Sequence, residues 1–244
     1  MKPDNHNNYH FHRFEFKYHL SPFKAEQVRK ELLDYYFVMD PQAENLPGQK
    51  YIVNSLYLDS PSYMCYHDKI HGLKNRFKVR VRSYSAETRP EDEVFVEIRR
   101  KQDALIVKDR FKSRLGDWQE HYQKGLKSGL AENRRTAEDI NYHIKRFNLR
   151  PKVLVQYARM PLEAKFIKRL RVTFDSNLKA AFTGDMQEDT LYSFSKDLVV
   201  MEIKYLGSLP LWLGKIIQKY NLDRRPNSKY CNAALELSKL NLLK

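Results

Sequence analysis

The sequence predicts an α+β protein built on antiparallel strands that each carry one charged face, with helices packed against the other face. Three observations predict it. Segments along most of the chain alternate apolar and charged residues with the period of two that a strand requires. Three of these segments follow one another, and each has a strongly basic side. Stretches with helix-start and helix-stop signals lie around them, so the apolar strand faces have helices to cover them.

Composition sets the frame for each element. The 244 residues are enough for one domain with a full core. Aromatic residues make up 13%, with 16 Tyr and 13 Phe, which favours strands. Only 8 Gly are present, which argues against a glycine-driven nucleotide loop. The formal net charge of +14 points to a polyanionic partner: nucleic acid, an anionic membrane surface or a phosphate-rich substrate. A solubilising surface is the plainer alternative. Cys65 and Cys231 form no CxxC pair, so neither a disulfide scaffold nor a cysteine zinc site is expected, and a reducing compartment is the default. The polar start MKPDNHNNYH lacks the apolar core of a signal peptide, and no stretch approaches the roughly 18 apolar residues of a membrane span. A cytoplasmic protein is expected.

Residues 1–11 read as a polar, flexible leader, and residues 12–244 as one domain. Over 12–20, Phe14, Phe16, Tyr18 and Leu20 fall on one face and Arg13, Glu15 and Lys17 on the other. Ser21-Pro22 then opens a helix by cap and first-turn chemistry. A second strand spans 51–59, and Ser60-Pro61 starts a short helix that Gly72 ends. In NRFKVRVRSY, Phe77, Val79 and Val81 alternate with Arg76, Lys78, Arg80 and Arg82. In EVFVEIRRK, Phe95, Glu97, Arg99 and Lys101 share one face and Val94, Val96 and Ile98 the other. In ALIVKDRFKSR, Ile106, Lys108, Arg110, Lys112 and Arg114 share a face. A helical region over 117–147 is interrupted near Gly125 to Gly129. Strands follow at 151–160, 169–175 and 199–206, with a short extra one near 190–194. Helices at 212–220 and 228–240 complete the chain, the second capped by Ser228.

A single strand with one charged face normally turns it to water. That reading weakens when the pattern recurs on several strands with helices at hand. If the helices cover the outside, a closed sheet points its charges inward and leaves a polar tunnel. Arg and Lys crowded there need a bound polyanion to relieve their repulsion. Glu15, Glu97 and Glu202 share faces with Lys17, Arg99 and Lys204. Inward carboxylates would repel the phosphates of DNA, so no DNA partner is expected. Beside a triphosphate they would hold a divalent cation, or they serve as ion-pair partners of the arginines; the residues alone leave both open. His6, His10 and His12 read as surface decoration. His67 and His71 lack a third metal ligand in sight.

The ordered series FEFKY (14–18), SLYLDSP (55–61), NRFKVRVRSY (75–84), VFVEIRRK (94–101), VKDRF (107–111), RVTFD (171–175), VVMEIKY (199–205) and SKY (228–230) resembles the VTC domain. This is the polyphosphate polymerase domain of the vacuolar transporter chaperone family and its stand-alone bacterial relatives, within the triphosphate tunnel metalloenzymes. The resemblance runs over nearly the whole chain. It implies an eight-stranded antiparallel β-barrel tunnel with helices around its outside. It also implies a divalent metal, Mn2+ or Mg2+, and transfer of the ATP γ-phosphate to a growing polyphosphate chain.

Carried over motif by motif, Lys17, Arg80, Arg82, Arg99, Lys101, Lys108, Arg159, Arg171, Lys204 and Lys229 should contact phosphates. Lys17, Arg80, Arg82, Lys229 and Glu202 would be catalytic, with Glu202 the metal ligand and Glu97 a second candidate. Read without the family, Lys229 is an ordinary residue at a helix start. Arg99 stands where the family often has Lys, and Lys101 where it can have His. Expected partners are ATP and inorganic polyphosphate, triphosphate or pyrophosphate. A separate membrane-protein partner would be needed for translocation, placing the protein peripherally at a membrane. The alternatives are a triphosphatase or exopolyphosphatase on the same fold, and a non-catalytic polyphosphate- or RNA-binding module.

Overall fold

The computed structural model describes residues 13–103, 105–126 and 133–240. The expected leader over 1–11 and the part of the expected helix break that falls in 127–132 lie outside the described residues. In chain order the strands are β1 (Arg13–Leu20), β2 (Phe37–Met39), β3 (Tyr51–Asp59), β4 (Arg76–Ser83), β5 (Glu93–Gln102), β6 (Leu105–Arg114), β7 (Arg150–Ala164), β8 (Arg171–Phe182), β9 (Tyr192–Ser195) and β10 (Val199–Leu206). The helices are α1 (Pro22–Tyr35), α2 (Pro41–Glu44), α3 (Met64–Ile70), α4 (Leu115–His121), α5 (Arg134–Arg146), α6 (Leu211–Lys219) and α7 (Lys229–Lys239).

Contacts divide the chain into two compact units, each assembled from separated segments. The first takes residues 1–50, 160–176 and 197–226, and the second takes 51–159, 177–196 and 227–244. Interleaving of this kind leaves no boundary to be seen along the sequence.

In the first unit, β1 pairs antiparallel with β10, and β10 with the first half of β8. The alternation of β1 buries Tyr18 and Leu20, and Met201, Ile203, Val172 and Phe174 extend the same core. Helix α1 supplies Ala25, Val28 and Leu32 to it, spaced to fall on one helix face. Its start is set by Ser21, whose side chain accepts a hydrogen bond from Lys24 N (3.3 Å), and by Pro22 in the first turn. Leu32 is fully buried, so cutting it to Ala would cost roughly 2–5 kcal/mol. Leu213 and Ile216 of α6 join this core. The three residues of β2 pair with the end of β7 and are too short to show a period in the sequence.

In the second unit, β3 pairs antiparallel with β4 and with residues 150–159 of β7, β4 pairs with β5, and β5 with β6. The apolar sides of β4 and β5 meet the helices. Val79, Val81, Val94, Val96 and Ile98 form one buried cluster with Leu115 and Trp118 of α4, Ile140 and Ile144 of α5, and Cys65 of α3. The opposite sides carry the cations. β9 pairs with the later part of β8.

Hydrogen bonding follows the order β1-β10-β8-β7-β3-β4-β5-β6, with β2 added on β7 and β9 on β8. The fold is therefore α+β, with an eight-stranded antiparallel sheet and helices packed on it. β7 and β8 are longer than the sequence suggests. Pro161 lacks an N–H and so reads as a stop, yet β7 runs through it and its carbonyl accepts from Asp40 N (3.1 Å). In β8, Asn177 takes φ 54° and the register shifts between Leu178 and Lys179, which breaks the period-two pattern past Asp175. Helix α3 starts at Met64 rather than at Pro61. Ser60 Oγ first accepts from Met64 N (2.9 Å), so the chain turns before the helix begins.

Candidate active site

Period two places Arg80 and Arg82 opposite Val79 and Val81, and register then sets the rows of the second unit. Tyr57, Arg80, Glu97 and Arg110 align across β3 to β6, with Ser55, Arg82, Phe95 and Lys112 in a neighbouring row. Glu97 lies at the centre and is only 1% exposed. Arg80 reaches its Oε2 with Nε and Nη2, both at 2.6 Å. Lys108 Nζ lies 2.6 Å from Oε1, and Arg110 Nη1 lies 3.9 Å from it. Burial alone would push the Glu97 carboxyl up, but Arg80, Arg82 and Lys108 outweigh it and hold it down at about 2. It is ionised at any physiological pH.

Arg82 is 7% exposed, and its hydrogen bonds go to neutral groups. Its Nε donates to Ser55 Oγ (3.2 Å) and its Nη2 to Tyr157 Oη (3.4 Å). The ring of Tyr157 gathers two more cations: Lys229 Nζ at 4.7 Å and the Arg159 guanidinium at 5.3 Å from its centroid. Lys229 and Arg159 are themselves buried. A buried guanidinium held by two long hydrogen bonds to hydroxyls is costly unless an anion completes its shell.

The start of α7 is fastened to this cluster. Ser228 caps the helix, accepting from Cys231 N (3.4 Å) and from Lys78 Nζ (3.1 Å). Tyr230 donates its hydroxyl to Asp59 Oδ2 (2.5 Å) and stacks on Tyr57, with centroids 5.0 Å apart. Asp59 is fully buried and also accepts from the backbone N–H groups of Ser60, Cys65 and Tyr66. Lys229, one residue before Tyr230, is thereby held at a fixed height on the second unit.

Two groups of this cluster titrate near neutrality. Burial lowers Lys108 to about 8 against the pull of Glu97. Burial raises the Tyr57 hydroxyl, but Arg80, Lys78 and Arg82 outweigh it and bring it to about 8; Arg80 Nη1 also donates to its Oη (3.2 Å). Arg99 lies in register between Lys78 and Lys108. Lys101 is half-buried, and its Nζ donates to the carbonyl of Asp103 in the β5–β6 turn.

The first unit holds the remaining candidates. Lys17, Glu202 and Thr173 align across β1, β10 and β8, beside the row Glu15, Lys204 and Arg171. Lys17 Nζ is 2.9 Å from Glu15 and 3.5 Å from Glu202, and Lys204 Nζ is 3.2 Å from Glu202. Arg171 is in register with Lys204, but its guanidinium pairs with Glu163.

Among the described residues no group of three His, Cys, Asp or Glu side chains stands ready to hold a metal, and the stacked His67–His71 pair is no exception. The donor chemistry at Glu202 nevertheless fits a hard cation. Glu15 and Glu202 share Lys17 as a neighbour, and Thr173 Oγ1, opposite Glu202, is buried without a hydrogen-bond partner among the described residues. A cation such as Mg2+ commonly takes one or two carboxylates and completes its shell with phosphate oxygens and water. Glu97 fits less well, because three cations already occupy its oxygens.

Sequence reasoning did not single out Tyr57, Tyr157, Tyr230, Asp59 or Lys78 as parts of a site. A signal was present for three of them, Lys78 by its place on the face of Arg80 and Arg82. Tyr57 shares the face of Ser55 in SLYLD, and Tyr157 that of Arg159 in QYARM, by the period of two of a strand. The contacts of Asp59 and Lys78 with Tyr230 and Ser228 join residues far apart in the chain. Local patterns do not carry such information.

Residues 12–238 match the model of the VTC domain. No curated protein matches the chain. Among solved structures it is similar to a candidate adenylate cyclase of Bacillus halodurans, with 11% identity over 88% of this chain and 92% of that one, at a TM-score of 0.49. It is also similar to the PH1819 protein of Pyrococcus horikoshii, with 13% identity over 92% and 99% of the two chains, at a TM-score of 0.47.

Proposed function

The chain belongs to the VTC domain family, whose members act on phosphoanhydride substrates, and on that premise we propose that it is an ATP-dependent polyphosphate polymerase. In this reading the eight-stranded sheet closes into a basic tunnel, as the family implies, and polyphosphate grows inside it by transfer of the ATP γ-phosphate. The observation that carries the reading is the buried Arg82, whose own partners are the neutral hydroxyls of Ser55 and Tyr157. Together with Arg80, Lys108, Arg159 and Lys229 it supports a resident polyanion.

The chemistry asks little of a protein nucleophile. A terminal oxygen of the polyphosphate chain attacks the γ-phosphorus, the bond to the β-phosphate oxygen breaks, and ADP leaves with the electron pair. Positioning in line and neutralising charge supply most of the catalysis. The forked guanidinium groups of Arg80 and Arg82 suit phosphate oxygens. Arg99, Lys101, Arg159 and Arg171 would hold further phosphates, Lys17 and Lys204 would steady those nearest Glu202, and Lys229 would face the transferring group. Glu202, with Glu15 beside it, would hold a divalent cation, Mn2+ or Mg2+, whose positive charge would add to the neutralisation of the phosphates.

The test incubates the protein with ATP, manganese and a short polyphosphate primer, and resolves the products beside Glu202→Ala and Lys229→Ala. Lengthening chains with matching ADP, lost in both variants, are expected. Orthophosphate and ADP without chain growth would move the assignment to a triphosphatase. Tight polyphosphate binding without turnover would leave a binding module.

A further inference from the structure

The sequence Lys165-Phe166-Ile167-Lys168-Arg169-Leu170 turns β7 into β8 and takes no part in the chemistry above. Phe166 is 86% exposed, the highest value among the large apolar side chains exposed in the described residues, and Ile167 beside it is also exposed. Three cations flank the pair, Lys165, Lys168 and Arg169, and no acid falls between Ala164 and Leu170.

The tip does not stand alone. Lys165 N donates to Tyr36 O (2.9 Å) and Lys165 Nζ to Leu33 O (3.4 Å), which ties the hairpin to the end of α1. The ring of Tyr36 stacks on Trp212 at the start of α6, 3.9 Å between centroids and 6° between planes. This one corner of the first unit therefore carries Leu211 (79% exposed) and Tyr35 (65% exposed) as well as Phe166. The hairpin also lines a hollow of about 740 Å³, to which Lys168, Arg169 and the Glu163–Arg171 pair contribute.

We propose that this corner is a peripheral docking surface for an anionic lipid bilayer, with Phe166, Ile167 and Leu211 entering the interface and Lys165, Lys168 and Arg169 contacting lipid phosphates. Exposed apolar side chains with long cations beside Phe166 and Ile167 match a hydrated headgroup layer. The rings reach the acyl boundary while the ammonium and guanidinium groups stay in water. Among the described residues no helix is long and apolar enough to cross a membrane. The inference is independent of the polymerase reading.

The experiment sediments the full chain with vesicles of equimolar phosphatidylglycerol and phosphatidylcholine, and with phosphatidylcholine alone. Binding to the anionic vesicles only is expected. Phe166→Ser combined with Leu211→Ser should weaken it roughly tenfold or more. Lys168→Glu with Arg169→Glu should weaken it by about fivefold per charge removed. Lys179→Glu with Lys196→Glu makes the same charge change at exposed positions of the second unit and should leave most of the binding intact. Circular dichroism and thermal unfolding report on whether each variant is folded.

Absence of vesicle binding by the wild type would overturn the proposal. So would equal losses in the two charge-reversed variants, which would mean general attraction to a +14 protein. Hairpin charge reversal that lowers polyphosphate affinity and leaves vesicle binding unchanged would make the hairpin a polymer contact instead, and would overturn it too.

Discussion

Arg80 grips Glu97 through two nitrogens, Nε and Nη2, each 2.6 Å from the same carboxylate oxygen. Glu97 is buried and Arg80 half-buried, and the carboxylate is shared: Lys108 and Arg110 lean on the other oxygen. Glu97 thus acts as the internal counter-ion of the cluster before any substrate arrives. Removing its charge leaves the half-buried Arg80 and the buried Arg82 nearby without compensation. Glu97→Gln should destabilise the free protein by roughly 3 kcal/mol in chemical denaturation. Added polyphosphate should restore most of the loss, because the polymer supplies the missing negative charge. A variant as stable as the wild type would mean that water already screens these cations.

Binding of the polymer should depend on pH with a definite sign. In the free protein Lys108 and Tyr57 each titrate at about 8. A polyanion favours the protonated form of both, ammonium and neutral phenol, and so raises both values when it binds. Affinity should be flat below about pH 7 and fall above about 8, the slope of log affinity approaching about one per pH unit for each group. Lys108→Met should remove one of the two slopes. Titration calorimetry without metal measures this, and unchanged affinity up to about pH 9 would take both groups out of contact with the polymer.

The anchor behind Lys229 is separable from the lysine. Tyr230→Phe removes the hydroxyl given to Asp59 and keeps the ring stacked on Tyr57. A hydrogen bond to a buried carboxylate is worth about 1.5–3 kcal/mol, and the variant should lose stability of that order. Turnover should fall further than polyphosphate affinity does, since the phosphate-gripping arginines are untouched. Equal losses in both would make Tyr230 a matter of folding alone.

Dependence on divalent cation should follow Glu202. Chelation should stop turnover of the wild type while leaving polyphosphate binding. Glu202→Ala should raise the Mn2+ concentration needed for half-maximal activity far more than Glu97→Gln does, because three cations already occupy Glu97. Metal titrations of both variants check this. The reverse ranking would move the cation to the second unit.

The sequence carried the cations of β4 to β6 because a period of two is a local property. Val79 and Val81 are buried, and Arg80 and Arg82 fall on the opposite side, as the alternation requires. It carried the cap of α1 for the same reason, since Ser21 and Lys24 are three residues apart. What it did not carry was set by tertiary contact. The bridge from Asp59 to Tyr230 and the partnership of Arg171 with Glu163 depend on how strands are brought together. Asn177, in a left-handed conformation, hid the second half of β8 by breaking the period. The two compact units were illegible because each is stitched from separated segments.

The bridge between Asp59 and Tyr230 spans 171 residues, and this fixes when the cluster can be finished during synthesis. The β4–β5 and β5–β6 hairpins pair near neighbours and can form as soon as they leave the ribosome. Their cations are then present but the lysine that caps the set is not. Asp59 has its backbone donors from Ser60, Cys65 and Tyr66 early, but must wait for α7 to bring the Tyr230 hydroxyl. A chain that has not yet made α7 therefore carries the cations of β4 to β6 without Lys229, and the set is complete only once that helix has been added.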